Sequence, residues 1–91
     1  MKFELGKVVQ TQGIYTECEK NITFEKEVLI SFNRYINGDW GDLTPNDKQM
    51  NEFALDSNDR ILAKYKTCVK PIYIITEADR SVTTILFCDE Y

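Results

Sequence analysis

The sequence predicts an α+β domain. The expected form is an antiparallel β-meander with an N-terminal strand and two to three helices packed on one face, in the order β-α-α-α-β-β-β. Three observations carry this. The last third of the chain is dense in β-branched and aromatic residues separated by short polar turns. The middle sets apolar residues at helical spacing between residues with capping chemistry. The 91 residues, 43% hydrophobic and 12% aromatic, suffice for one core and are too few for a second, so residues 1–91 read as a single domain.

In chain order, "FELGKVVQ" (residues 3–10) reads as a first strand with a break at Gly6. "GIYTECEK" (13–20) reads as a short helix after Gly13. The next helix is clearer. Thr23 is placed to cap it, Glu25 and Glu27 suit its N-terminus, and Phe24, Val28, Phe32 and Tyr35 fall on one stripe that Leu29 and Ile36 widen. Asn37-Gly38 supplies the stop. Thr44-Pro45-Asn46-Asp47 starts a third helix, with a hydroxyl cap, proline at the first helical position and a carboxylate near the free amides. Met50, Phe53 and Ala54 are its expected buried face, and residues 56–59, "DSND", are turn chemistry. "RILAKYKT" alternates Ile61, Ala63 and Tyr65 against Arg60, Leu62, Lys64 and Lys66, the pattern of a half-exposed strand. "IYIIT" and "SVTTILFC" follow as strands joined by the hairpin "EADRS".

The net charge of −4 is unevenly spread. Residues 39–59 hold six acids against Lys48, whereas residues 60–70 hold Arg60, Lys64, Lys66 and Lys70 and no acid. An acidic whole argues against general nucleic-acid binding, which leans on phosphate neutralisation. No apolar run approaches the roughly 20 residues of a membrane span, and the N-terminus has no apolar signal core. Cys18, Cys68 and Cys88 form no Cys-x-x-Cys pair and are odd in number, which fits reduced thiols and a cytoplasmic setting.

The chain has no histidine, which removes Ser-His-Asp and Cys-His catalysis and histidine-based zinc sites. Its four glycines make no phosphate-binding loop. Carboxylate chemistry remains: Asp39, Asp42, Asp47 and Glu52 are of the type that binds Mg²⁺ or Ca²⁺, but their spacing does not match the twelve-residue calcium loop. No cofactor and no metal are expected.

Two polar clusters are the candidate binding surface. The first surrounds Trp40 in the link between two helices and comprises Asp39, Asp42, Asp47, Asn51 and Glu52. A tryptophan there serves as a core plug or as an exposed anchor for a partner, the plug being the commoner role. Asn51 is a weak helix former at mid-helix, which points to a specific hydrogen bond. The second cluster is the hairpin tip with Glu77, Asp79 and Arg80, read equally well as a solubilising turn or as a recognition loop. Function by recognition requires the two clusters to meet in one exposed patch.

"GDWGDL" (38–43), Asp47, Asn51, Glu52, Ala54 and Leu55, then "RILAKY" and "IITEADRSVTTIL", together with the N-terminal "FELGKVV", resemble a family of small proteins from bacterial plasmids, prophages and integrative elements. These are called plasmid-related or labelled type I restriction endonuclease subunit M. The likeness spans nearly everything from Gly38 to Tyr91 and is weak over residues 11–35. A methyltransferase needs a large cofactor-binding sheet, a Gly-rich loop and an Asn-Pro-Pro-aromatic motif. With prolines only at 45 and 71, this chain has no such motif, which excludes that activity. The resemblance implies a non-catalytic binding module that engages a protein partner, such as a host-defence or plasmid-maintenance factor, with a homo-oligomer left open. The alternatives are a carboxylate- and metal-dependent enzyme such as a nuclease and, by order of elements alone, a ribosome-dependent RNase-like toxin fold.

Overall fold

A computed structural model describes residues 2–91. The elements run β1 (Lys7–Gln10), α1 (Gln12–Lys20), α2 (Ile22–Ile36), α3 (Pro45–Ser57), β2 (Ile61–Tyr65), β3 (Ile72–Thr76) and β4 (Val82–Phe87), followed by a 3₁₀ turn (Cys88–Glu90). The predicted order of elements is the observed one. Each helix begins on a side chain that accepts from an otherwise free amide: Thr11 from Ile14, Asn21 from Phe24 and Thr44 from Asp47. The second helix therefore starts two residues before the expected cap at Thr23, because the Asn21 carboxamide reaches the Phe24 amide at 3.0 Å. The first helix also starts earlier and carries Gly13 inside it. No helix among the described residues is long and apolar enough to cross a membrane.

The sheet order is β1-β4-β3-β2. Strands β2, β3 and β4 form the expected antiparallel meander, with Ile61 opposite Thr76 and Ile74 opposite Ile85. β1, however, lies parallel to β4, with Lys7 opposite Val82 and Gln10 opposite Ile85, so the sheet is mixed. The cause is topological. The chain leaves β1 into α1 and α2, which cross one face of the sheet, and a strand left by such a crossover pairs parallel to a neighbour entered from the same end. Gly6, at φ +64°, turns the chain into β1, and a side chain there would collide with the Ser81 carbonyl.

The helices cover one face. Ile61, Ala63 and Tyr65 of β2, Ile72 and Ile74 of β3, and Ile85 and Phe87 of β4 form the core with Ile14, Phe24, Val28, Tyr35, Trp40 and Ala54. The alternation in "RILAKYKT" is thus realised, with the odd residues buried and Leu62 and Lys64 on the opposite side. α3 departs from expectation. Ala54 is buried, but Met50 and Phe53 are 62% and 63% exposed, and the helix buries Asn51 instead. The reason is that α3 lies along the outer edge of β2, so Asn51 meets the Leu62 backbone while only Ala54 and Leu55 reach the apolar core.

Within the core, one chain of hydroxyls joins three segments. Thr83 Oγ1 donates to the Leu5 carbonyl at 2.7 Å. That fixes the other protons: Thr76 donates to Thr83 at 2.7 Å, and Tyr35 donates to Thr76 at 2.6 Å. α2, the β3–β4 hairpin and the segment before β1 are held by this relay, and Tyr35, Thr76 and Thr83 are fully buried. Tyr35 must keep its proton to start it. Burial pushes its hydroxyl up to about 12, against 10.0 ordinarily, and burial also raises that of Tyr65. The fold holds the Tyr35 proton more tightly than the unfolded chain does, so the stabilisation is complete below pH 10 and is lost between about pH 10 and 12. Denaturation followed by circular dichroism should show stability falling over that window. Tyr35→Phe should be less stable by about 1–2 kcal/mol at pH 7 and should lose less on going from pH 10 to 12.

Candidate functional site

The first candidate cluster is an edge closure. Strand β2 has no neighbour on its outer side, and its outward backbone groups are those of Leu62, Lys64 and Lys66. Asn51, 5% exposed, donates Nδ2 to the Leu62 carbonyl at 2.8 Å and accepts from the Leu62 amide at 3.2 Å. The Lys64 amide donates to the Trp40 carbonyl at 3.4 Å, and the Lys64 carbonyl accepts from the Asp42 amide at 2.7 Å. Asp42 Oδ2 accepts from the Lys66 amide at 3.0 Å. One side chain and one short link therefore do the work of a fifth strand. Gly41, at φ +76°, allows the approach, since a Cβ would stand 2.0 Å from the Lys64 carbonyl oxygen.

The other residues of this cluster position the link. Asp39 accepts from Arg34 Nε at 2.8 Å and Nη2 at 3.2 Å and from the Gly41 amide at 3.1 Å. The Arg34 guanidinium holds the Asp39 carboxyl below its usual range. The Asp39 carbonyl accepts from the Tyr65 hydroxyl at 2.8 Å. Trp40 is 3% exposed; its ring lies 5.7 Å from that of Tyr35 and 6.0 Å from that of Phe3, and its indole N–H donates to Glu52 at 2.6 Å. This is the geometry of a plug with one satisfied donor. The Asp47 side chain is exposed beside an open hollow of about 300 Å³ between α3 and β2, lined also by Leu43, Met50, Asn51, Arg60 and Leu62.

The hairpin tip is likewise built inward. Arg80 sits at φ +61° and donates Nη2 to the Ala54 carbonyl at 2.8 Å and Nη1 to the Asp59 carbonyl at 2.7 Å. Nη1 also lies 3.2 Å from the carbonyls of Glu77 and Ala78. The guanidinium thus fastens the turn to the last turn of α3 at Ala54 and to Asp59 just beyond it. Asp79 accepts from the Ser81 amide at 3.0 Å, which lowers its carboxyl from the usual range, and the Glu77 backbone closes the turn with Val82 and Arg80. The tip lies at the end of the sheet where β2 begins, opposite Ile61, while the tryptophan link runs along Lys64 to Lys66 at the other end of that strand. With Trp40 buried and Arg80 engaged by carbonyls, the two clusters form no single exposed patch. Each meets α3 instead, Trp40 through Glu52 and Arg80 through the Ala54 carbonyl.

The surface left open is the sheet face away from the core. The register aligns Leu62, Ile75, Thr84 and Val9 in one row and Lys64, Tyr73 and Leu86 in the next, with Ile75 and Leu86 buried and the others half-buried. Tyr91 stands 5.6 Å from Tyr73, edge to face, and the Arg60 guanidinium lies 5.4 Å from the Tyr91 ring centre and donates to its hydroxyl. Arg60, Lys64 and Lys66, at even spacings of four and two residues, run along the β2 side of this face. Among the described residues the ion pairs are Lys20–Glu17, Arg34–Asp39 and Lys70–Asp89, and these three cations belong to none. Beside them opens a cleft of about 360 Å³ lined by Asp42, Lys64, Lys66, Thr67 and Pro71. Sequence reasoning had both signals, the acid-free run 60–70 and the β2 alternation, without joining them. Tyr73 and Tyr91 carried no signal of their own.

Nucleophilic chemistry finds little support. Burial raises the Cys18 and Cys88 thiols, and the hydrogen bond to Glu27 raises that of Cys68, so all three resist becoming thiolates. No group of three or more His, Cys, Asp or Glu side chains able to hold a metal ion occurs among the described residues. Comparison of the chain with protein-family models, with curated proteins and with solved structures finds no match.

Replacing Asn51 with alanine should strand both backbone groups of Leu62 and cost about 2–3 kcal/mol in urea denaturation. It should also raise concentration-dependent light scattering, because the exposed β2 edge becomes a pairing template.

Proposed function

We propose that the chain is a non-catalytic protein-binding module, of the mobile-element type that its sequence blocks resemble, and that it works through the open face of its sheet. The observation that carries this reading is the triad Arg60, Lys64 and Lys66, three cations in no ion pair among the described residues, bordering the half-buried Leu62 and Tyr73 and the exposed Tyr91. Aliphatic and aromatic contact beside unpaired charge is the composition of a recognition surface. The partner of matching chemistry is a protein that presents acidic residues next to an apolar ridge, and a host-defence or plasmid-maintenance factor is the class the resemblance points to. The cations would speed its encounter and set its orientation, while the apolar rows would slow its release.

In a nuclease-treated host lysate, wild type and Lys48→Glu, at an exposed position of α3, should retain one common protein. The double variant Lys64→Glu/Lys66→Glu and the single variant Tyr73→Ala should lose it by about tenfold or more at unchanged circular dichroism. With that protein purified, calorimetry should show affinity falling as salt is raised from 50 to 300 mM. If no protein follows this pattern, or if capture depends on nucleic acid that the nuclease removes, the reading fails.

A further inference from the structure

The two edges of the sheet are treated differently. Every outward group of β2 that is named above has an intramolecular partner, but among the described residues β1 has none on its outer side. The Lys7 amide donates to Ser81 at 3.0 Å and the Thr11 amide to Ile85 at 3.1 Å, which orients Lys7, Val9 and Thr11 toward β4. By alternation the amides and carbonyls of Val8 and Gln10 point outward, and no hydrogen bond reaches them among the described residues. Natural edges are normally blunted by proline, by a bulge, by an inward charge or by a covering element. This one has none of those: it is a short regular strand, "KVVQ", guarded by its four-residue length and by Lys7, with Val8 45% exposed.

We propose that the outer edge of β1 is the interface for a second copy of this chain, pairing antiparallel about a two-fold axis at Val9, so that two four-stranded sheets become one of eight. The register follows from the groups available. An axis at Val9 sets Val8 opposite Gln10 of the second copy, and the four free groups of each strand are then mutually satisfied. An axis at Val8 would instead draw in Gly6, whose φ of +64° takes it out of the strand. Charge complementarity supports the same register. Lys7, exposed and in no ion pair, comes opposite Thr11 of the second copy, whose hydroxyl donates to Glu90 at 2.8 Å. Glu90 is already fixed there, also accepting from the Phe87 amide at 2.7 Å. Shape agrees on the helical side. A hollow of about 210 Å³ whose lining includes Gln10, Tyr15, Glu19, Glu25 and Leu29 opens beside the edge, and Val8 of the second copy arrives next to Gln10. An extended peptide from another protein would find the same backbone groups, but not the reciprocal Lys7–Glu90 pairing.

Sedimentation equilibrium of the full chain should give twice the 10.6 kDa chain mass at high micromolar concentration. Hydrogen exchange should show the Val8 and Gln10 amides slowing with concentration while those of Val9 and Thr11 do not change. Val8→Pro removes an outward donor and leaves the bonds to β4 in place, so it should raise the dimer dissociation constant about tenfold or more with the thermal midpoint of the monomer retained. Lys7→Glu, which does not touch the ladder at all, should weaken the dimer several-fold and reduce its salt dependence. A chain that stays monomeric to about 1 mM, or a dimer indifferent to both variants with fast exchange at Val8 and Gln10, overturns the proposal.

Discussion

The outer edge of β2 is closed without a strand, and most of the irregular parts of the molecule follow from that. Leu62 needs a donor and an acceptor together, which a carboxamide supplies in one side chain, so Asn51 is buried in a helix where an apolar residue would ordinarily lie. Holding Asn51 there fixes α3 beside the sheet rather than flat upon it. That placement leaves Met50 and Phe53 in solvent and brings Glu52 to the indole of Trp40. Lys64 needs partners one step along, and only a tight link that passes through Gly41 comes close enough. Trp40 then has one direction to point, into the space between Tyr35 and Phe3.

Local physics made much of this legible in advance. Thr44-Pro45 and Asn37-Gly38 mark real helix ends, because capping depends on residues within one turn. The β2 alternation is real because its period reports two different environments. What could not be read depends on contacts far apart in sequence. The parallel pairing of β1 with β4 joins residues about 75 positions apart and leaves no periodic trace in either strand. The exposure of Met50 and Phe53 follows from where α3 docks, which its own sequence does not encode. Of the nine candidate residues, Asn51 carried the clearest signal, as a poor helix former at mid-helix, and its partner is the backbone of β2.

Carboxylates as close together as those around Trp40 repel one another unless something organises them. Asp39 faces Arg34, Asp42 accepts a backbone amide and Glu52 accepts the indole. These are positions that build a corner. The cations of residues 60–70 are the opposite case: alternation sends Arg60, Lys64 and Lys66 to one side of the strand, and the acids they might have paired with lie mostly on α3 and the link. A molecule that is acidic as a whole therefore presents a basic border on one face. The distribution of charge says more about a partner here than its sum does.

Arg80 adopts a left-handed backbone that glycine would accept more readily, yet its guanidinium clamps carbonyls from α3, the following turn and the hairpin itself. Backbone ease and side-chain reach pull that position in opposite directions, and reach has prevailed. A redesign that scored each residue by turn preference alone would install glycine there and unfasten the helix from the sheet. The lesson for engineering this scaffold is that its least comfortable residue is also one of its rivets.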